Sequence, residues 1–231
     1  MSNTETLKVE ITSEGYAEVS NGLFRKKISI KDFSSVINSL VAQEDQVISN
    51  ATFRYPSSLH SVTRTNQGYI ANLYYTEREA EVRHTSAGKK MIYMPNVMIR
   101  VDLRNVAGKP GEFSLGSIHW FGTDKTPSSL TTDWPTGGNT RDHIWTLPLP
   151  NMFDDARMCT GGNRLPSVIY QDWTVLDMLY YDVLLNSPFN NDLSVRSLAS
   201  SYSPTQWLNV LHDHWANEES ERFPYDLLTN Y

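Results

Sequence analysis

The chain has 231 residues, is 39% hydrophobic and 11% aromatic, and carries a formal net charge of −6. This composition excludes an intrinsically disordered chain, supplies a core for one large domain or two small ones, and disfavours nucleic acid or an anionic membrane as partner. No apolar run approaches the roughly 18–20 residues of a membrane span, and Met1–Lys8 lacks the apolar stretch of a secretory signal. Cys159 is the only cysteine, so no internal disulfide forms, and a cytoplasmic location is expected.

In chain order, Leu7–Ile11 alternates apolar and polar residues like a half-buried strand. Ser13-Glu14-Gly15 turns it, and Asn21-Gly22 is the stronger hairpin signal because both residues tolerate positive φ. Strand composition continues from Phe24 to Ile30. Residues 1–30 are therefore expected to form an N-terminal β-hairpin extension, and residues 31–231 the main domain. Ser29 with Asp32 resembles a capping box, and Phe33, Val36, Ile37, Leu40 and Val41 recur at helical spacing.

From Ala51 to about Trp120 the pattern is extended. Tyr69–Tyr75, Glu79–His84, Met91–Leu103 and Phe113–Phe121 are candidate strands, and Ser86–Lys89 and Ala107–Gly111 are turns. Four such strands predict an antiparallel meander. Lys125–Arg141, rich in Pro, Gly, Ser and Thr, reads as a loop, and Pro148 and Pro150 break regular structure just before Asn151. Beyond Cys159, Thr160-Gly161-Gly162-Asn163 accepts unusual backbone angles. Trp173, Leu176, Leu179, Tyr180, Val183 and Leu184 have helical spacing, and Pro188 ends that helix. Ser203 as cap and Pro204 at the first position start another, with Trp207, Leu208, Leu211, His214 and Trp215 on its face. The order of segregated strands and helices is that of an α+β fold.

The chemistry centres on Cys159. Asn151 lies eight residues before it, and a carboxamide near a thiolate can hold the oxyanion formed when a thioester is attacked. Each residue also has a plainer role: a lone cysteine is ordinarily buried and inert, and a Pro-Asn step is a turn in which the Asn bonds its own backbone. A free thiol, with a pKa of about 8.5, needs help to react. Arg157 and Arg164 favour the thiolate, while Asp154 and Asp155 oppose it. His212-Asp213-His214 has poor spacing for joint ligation on a helix, since residues two apart point in different directions. Gly137-Gly138 and Gly161-Gly162 match no phosphate loop.

Leu149-Pro150-Asn151 followed by Cys159 resembles the His-Pro-Asn segment and thioester cysteine of the ubiquitin-conjugating (UBC) superfamily. Independently, Leu184-Leu185-Asn186-Ser187-Pro188-Phe189-Asn190-Asn191-Asp192-Leu193 resembles that family's Leu-Leu-x-x-Pro-Asn-Pro-x-Asp-Pro-Leu segment. The resemblance spans residues 30 to 200. The chain departs from the pattern in having Leu149 for the His and a longer interval from Cys159 to Trp173. These departures resemble the prokaryotic branch that includes protein B of the ThiF-associated PRTRC cassettes, with Ala156 standing for a Gly of its pattern. The resemblance implies a UBC-like fold, in which a four-stranded meander is flanked by helices. It also implies roles: Cys159 as thioester nucleophile, Asn151 as oxyanion donor, and Asp192 as the acid that positions or deprotonates an amine. The implied partners are a ubiquitin-like modifier and a ThiF-like activating enzyme. No metal or organic cofactor is implied, because ATP is consumed on the partner. The alternatives are an inactive scaffold of the same fold, and a phage- or plasmid-borne assembly protein that borrows it.

Overall fold

The computed structural model describes residues 8–12, 16–21, 24–29, 54–126, 143–195, 202–217 and 222–228. The helix expected around residues 33–41 and most of the loop expected over residues 125–141 lie outside these. Among the described residues the strands are β1 (Lys8–Ile11), β2 (Tyr16–Asn21), β3 (Phe24–Ser29), β4 (Leu59–Thr65), β5 (Gly68–Tyr75), β6 (Arg78–His84), β7 (Gly88–Met94), β8 (Asn96–Asn105), β9 (Phe113–Thr123) and β10 (Ile144–Thr146). They are followed by a 3₁₀ turn (Trp173–Asp177), a π-helix (Leu179–Leu185), helix α1 (Pro204–Ala216) and a second 3₁₀ turn (Tyr225–Leu227). The fold is α+β, with a mostly antiparallel sheet and few helices.

Eight strands form one sheet in the order β10-β9-β8-β5-β4-β1-β2-β3, and β6 and β7 form a separate two-stranded sheet. The expected meander of four consecutive strands is thereby corrected. The stretch read as one strand over Met91–Leu103 is two, β7 ending at Met94 and β8 starting at Asn96. Pro95 lies between them and has no N–H to give to a ladder. With β6 and β7 paired to each other from Arg78↔Met94 to His84↔Gly88, β5 neighbours β8 directly. Strand β4 carries no alternating signal because it buries Ser61 and leaves Val62 half-buried. The Ser61 hydroxyl accepts Asn72 Nδ2 at 2.9 Å, which gives each of these buried atoms a partner in the interior. Across the Asn21-Gly22 signal, β2 and β3 pair from Asn21↔Phe24 to Tyr16↔Ser29. Strand β1 bonds both β2 and β4, so these three N-terminal strands continue the main sheet.

The chain divides into two compact units. The first comprises residues 1–73, 100–117 and 165–177, the second residues 74–99, 118–164 and 178–231. The first holds an edge-to-face cluster in which Trp173 meets Tyr55, Tyr69 and Phe113 at 5.6, 5.6 and 5.7 Å. Such pairs contribute about 0.5–1.5 kcal/mol each beyond their area. The second buries Met98, Trp120, Phe121, Trp207 and Phe223, and stacks Tyr75 on Tyr180 with centroids 4.0 Å apart.

The single helix expected from Trp173 to Leu184 is realised as the 3₁₀ turn and the π-helix. All six residues of the predicted face are nonetheless buried. The backbone winds differently because Thr174, Val175, Tyr180, Tyr181 and Val183 are β-branched or aromatic and hold a regular α-helix weakly. Helix α1 starts as its sequence predicts. Ser203 Oγ accepts Gln206 N–H at 3.3 Å, Ser203 N–H donates to Gln206 Oε1 at 2.9 Å, and Pro204 follows the cap. Its buried face is Pro204, Trp207, Leu208 and Leu211. His212 stacks on Trp215 (5.7 Å), and His212 and His214 each meet a backbone carbonyl, that of Met91 and Arg222 respectively. Among the described residues no helix is long and apolar enough to cross a membrane, and no three metal-binding side chains gather.

Candidate active site

The site grows from a chain reversal between Asn151 and Cys159. Met152 and Met158 bridge antiparallel. Phe153 N–H donates to the Arg157 carbonyl at 2.8 Å, Ala156 N–H to the Phe153 carbonyl at 3.0 Å, and Cys159 N–H to the Asn151 carbonyl at 2.7 Å. The eight-residue spacing is therefore the length of a closed loop, which sets the two backbones side by side. Asn151 and Ala156 both have positive φ, 67° and 63°. Asn visits this region readily, whereas Ala bears a cost of about 1 kcal/mol. Ala156 thus takes a backbone conformation that favours glycine. Its methyl is fully buried with Tyr74, Met98, Phe121 and Ile144, and its carbonyl accepts Trp120 N–H at 2.7 Å. Those contacts offset the strain and anchor the loop to β9.

Asn151 is 4% exposed. Its Nδ2 donates to the Pro188 carbonyl at 3.1 Å, and its Oδ1 accepts Asn190 N–H at 3.2 Å. Asn190 Nδ2 in turn donates to Asp192 Oδ2 at 2.7 Å, and Asp192 N–H donates to Asn190 Oδ1 at 3.0 Å. The Cys159 main chain, Asn151 and the sequence-distant Asp192 thus belong to one hydrogen-bonded assembly. Cys159 is a free, half-buried thiol and Asp192 is exposed. The Asn151 amide organises the loop, and its second Nδ2–H is the group left for any further acceptor.

Other residues hold the assembly. Asn163 Nδ2 donates to the Thr160 carbonyl at 2.9 Å and also to Ser187 Oγ, which ties the glycine-rich turn after the cysteine to the Pro188 segment. Phe189 is fully buried. Its N–H donates to the Arg83 carbonyl at 2.7 Å and its carbonyl accepts Thr85 N–H at 2.8 Å. Asn191 Oδ1 accepts Thr205 N–H at 3.2 Å and its hydroxyl at 2.9 Å, in the first turn of α1. Asn163, Ser187 and Asn190 carry no signal in the sequence beyond a general preference of Asn and Ser for turns. Their roles depend on partners up to 39 residues away.

Leu149, at the position of the resembled histidine, is fully buried and packs as an apolar side chain. Next to it, the Pro148 carbonyl accepts Trp207 Nε1–H at 2.7 Å inside the core. Trp207→Phe leaves that carbonyl unsatisfied and removes part of a buried ring. A loss of about 2 kcal/mol in unfolding free energy is expected, read as a lower urea midpoint at unchanged slope. An unshifted midpoint would rule this bond out as a support of the cysteine loop.

The charges are arranged locally. Partial burial raises the Asp155 carboxyl, but hydrogen bonds from the Arg157 N–H and guanidinium, with the Arg157 and His119 charges, bring it below the ordinary range. Arg157 Nε donates to Asp155 Oδ2 at 2.6 Å, and its guanidinium lies 5.9 Å from the Phe153 ring centroid. Of the two arginines expected to favour a thiolate, Arg157 is thus engaged by Asp155. His119, which acts on Asp155 from β9, is a neighbour that the sequence does not announce; β9 reaches this loop through Trp120 and Ala156.

No protein-family model, curated protein or solved structure matches the chain. What the site can do is therefore read from its own groups: a half-buried free cysteine, an asparagine whose main chain bonds it and whose amide is fixed on Pro188 and Asn190, and an exposed carboxylate on the adjoining segment.

Proposed function

We propose that the protein is a ubiquitin-conjugating-like carrier with a UBC-like fold. Cys159 attacks the activated C-terminal carbonyl of a ubiquitin-like modifier held on a ThiF-like activating enzyme. A carbon–sulfur bond to Cys159 forms, and the bond to the activating enzyme breaks. An amine then attacks the thioester carbonyl, the new carbon–nitrogen bond replaces the carbon–sulfur bond, and the thiol is regenerated. The amine proton leaves toward Asp192, and the remaining Nδ2–H of Asn151 faces the developing oxyanion. The observation that carries this reading is the hydrogen-bonded sequence Cys159–Asn151–Asn190–Asp192, which unites the two motifs.

The experiment supplies the full chain with a ThiF-like activating enzyme, ATP and a small Gly-ending modifier. Wild type is expected to form an adduct that dithiothreitol removes, and Cys159→Ser to form none or a dithiothreitol-resistant ester. Absence of any thiol-sensitive adduct on wild type would exclude the carrier. It would favour the second reading, an inactive scaffold. That reading draws on the Asn151 side chain, whose Oδ1 and one N–H are already committed to the Pro188–Asn190 backbone.

A further inference from the structure

None of the residues lining a cleft on the first unit belongs to the cysteine assembly. The cleft holds about 390 Å³ and is lined by Arg54, Pro110, Gly111, Glu112, Tyr170, Gln171 and Asp172. That volume is in the range of small-ligand and side-chain sites. Both walls are built on fixed backbone. On one side, Gln171 accepts Arg54 N–H at 3.1 Å and the Arg54 carbonyl accepts Trp173 N–H at 2.8 Å. Ile169 and Phe113 exchange two backbone bonds of 2.6 and 2.8 Å. On the other, Gly111 has φ 77° and presses so close to Gln171 that a Cβ there would stand 3.0 Å from its Nε2.

Between the anchored residues Ile169 and Gln171, the Tyr170 ring is 61% exposed. A rigidly based, solvent-facing aromatic ring is a common anchor in recognition. The charged groups beside it are two carboxylates, Glu112 and Asp172, against one guanidinium, Arg54. Each carboxylate is held loosely by an exposed cation of the chain: Asp172 by Arg54 at 3.8 Å and Glu112 by Lys109 at 3.4 Å. Ion pairs near the surface are weak, at about 0–1 kcal/mol. The Thr174 hydroxyl bonds Asp172 and holds its carboxyl below the ordinary range.

We propose that this cleft receives a basic side chain of a partner polypeptide, arginine above all, with the guanidinium against the Tyr170 face and between Glu112 and Asp172. Arginine fits because its planar cation both stacks on a ring and bonds carboxylates. The test is an NMR titration of the full chain, following the amides of Gly111, Tyr170 and Gln171. The probes are an Ala-Arg-Ala peptide, the same peptide with citrulline for arginine, and spermidine.

Saturable shifts of these amides with the arginine peptide are expected. Tyr170→Ala and Asp172→Asn should each weaken binding by about fivefold or more. Both positions are exposed, so these variants should fold as wild type does. A flat titration overturns the proposal, as does equal binding of the citrulline peptide or an unchanged affinity in both variants. Spermidine binding as tightly as the peptide would overturn the assignment to a polypeptide. The outcome is independent of the thioester experiment, since it uses neither modifier nor activating enzyme.

Discussion

Asn151→Ala is expected to lower the unfolding free energy by about 3 kcal/mol, because two partly buried backbone groups lose their partners and alanine is left at positive φ. The groups are Asn190 N–H and the Pro188 carbonyl. Two companion variants separate the contributions. Asn151→Gly loses the same bonds but tolerates φ 67°, so it should be milder by about 1 kcal/mol. Asn151→Asp keeps an oxygen for Asn190 N–H but sets a carboxylate against the Pro188 carbonyl, and should also destabilise. Urea denaturation measures the losses, and hydrogen exchange at the Asn190 amide locates them. If Asn190 exchanges no faster in Asn151→Ala than in wild type, the amide is not what holds the Asp192 segment to the cysteine loop. If the carrier reading is right, thioester discharge in Asn151→Ala should slow by about 10²-fold.

Gly68→Ala should be more damaging still. Gly68 has φ 146°, and a Cβ built there would stand 2.0 Å from the Leu103 carbonyl oxygen and 3.1 Å from Arg104 Cα. The obstacle is the backbone of β8, which cannot rotate aside as a side chain can. The conformation itself is nearly reserved for glycine, at 1–3 kcal/mol for other residues. A loss of about 4 kcal/mol is expected, or roughly a 10 °C fall in melting temperature for a chain of this size. Gly88→Ala is the control. Its φ is 71° with nothing within 4 Å of the added carbon, so only the local conformational cost of about 1 kcal/mol applies. Comparable melting temperatures for the two variants would show that the contact with Leu103 carries no weight.

The two glycines look alike in sequence, each sitting in a turn before a strand. Only the neighbour from β8 separates them. The same contrast runs through the fold. The start of α1 was legible because its cap Ser203 and Pro204 are adjacent in the chain and act within the helix's own first turn. The strand break at Pro95 was legible in principle, as proline cannot donate, yet a meander was expected because β6 and β7 carry the same alternation as the strands on either side. Whether a strand joins the main sheet or pairs apart depends on partners that alternation does not name. In the Trp173–Leu184 stretch the apolar spacing correctly marked the buried face, while the winding departed from a regular helix.

At the candidate site the sequence by itself determined the participants: one thiol, an asparagine eight residues ahead of it, and an acidic segment after Pro188. It determined that Asn151 sits in a turn, since a Pro-Asn step favours one. The tertiary structure decided how they are joined. It closed the Asn151–Cys159 loop through the Asn151 carbonyl, turned the Asn151 amide onto Pro188 and Asn190, buried Leu149 as core, and engaged Arg157 with Asp155. The physical reason is that a side-chain amide has few donors and acceptors. Which backbone groups claim them is set by segments that pack there from 37 and 39 residues away, and local composition holds no record of that competition.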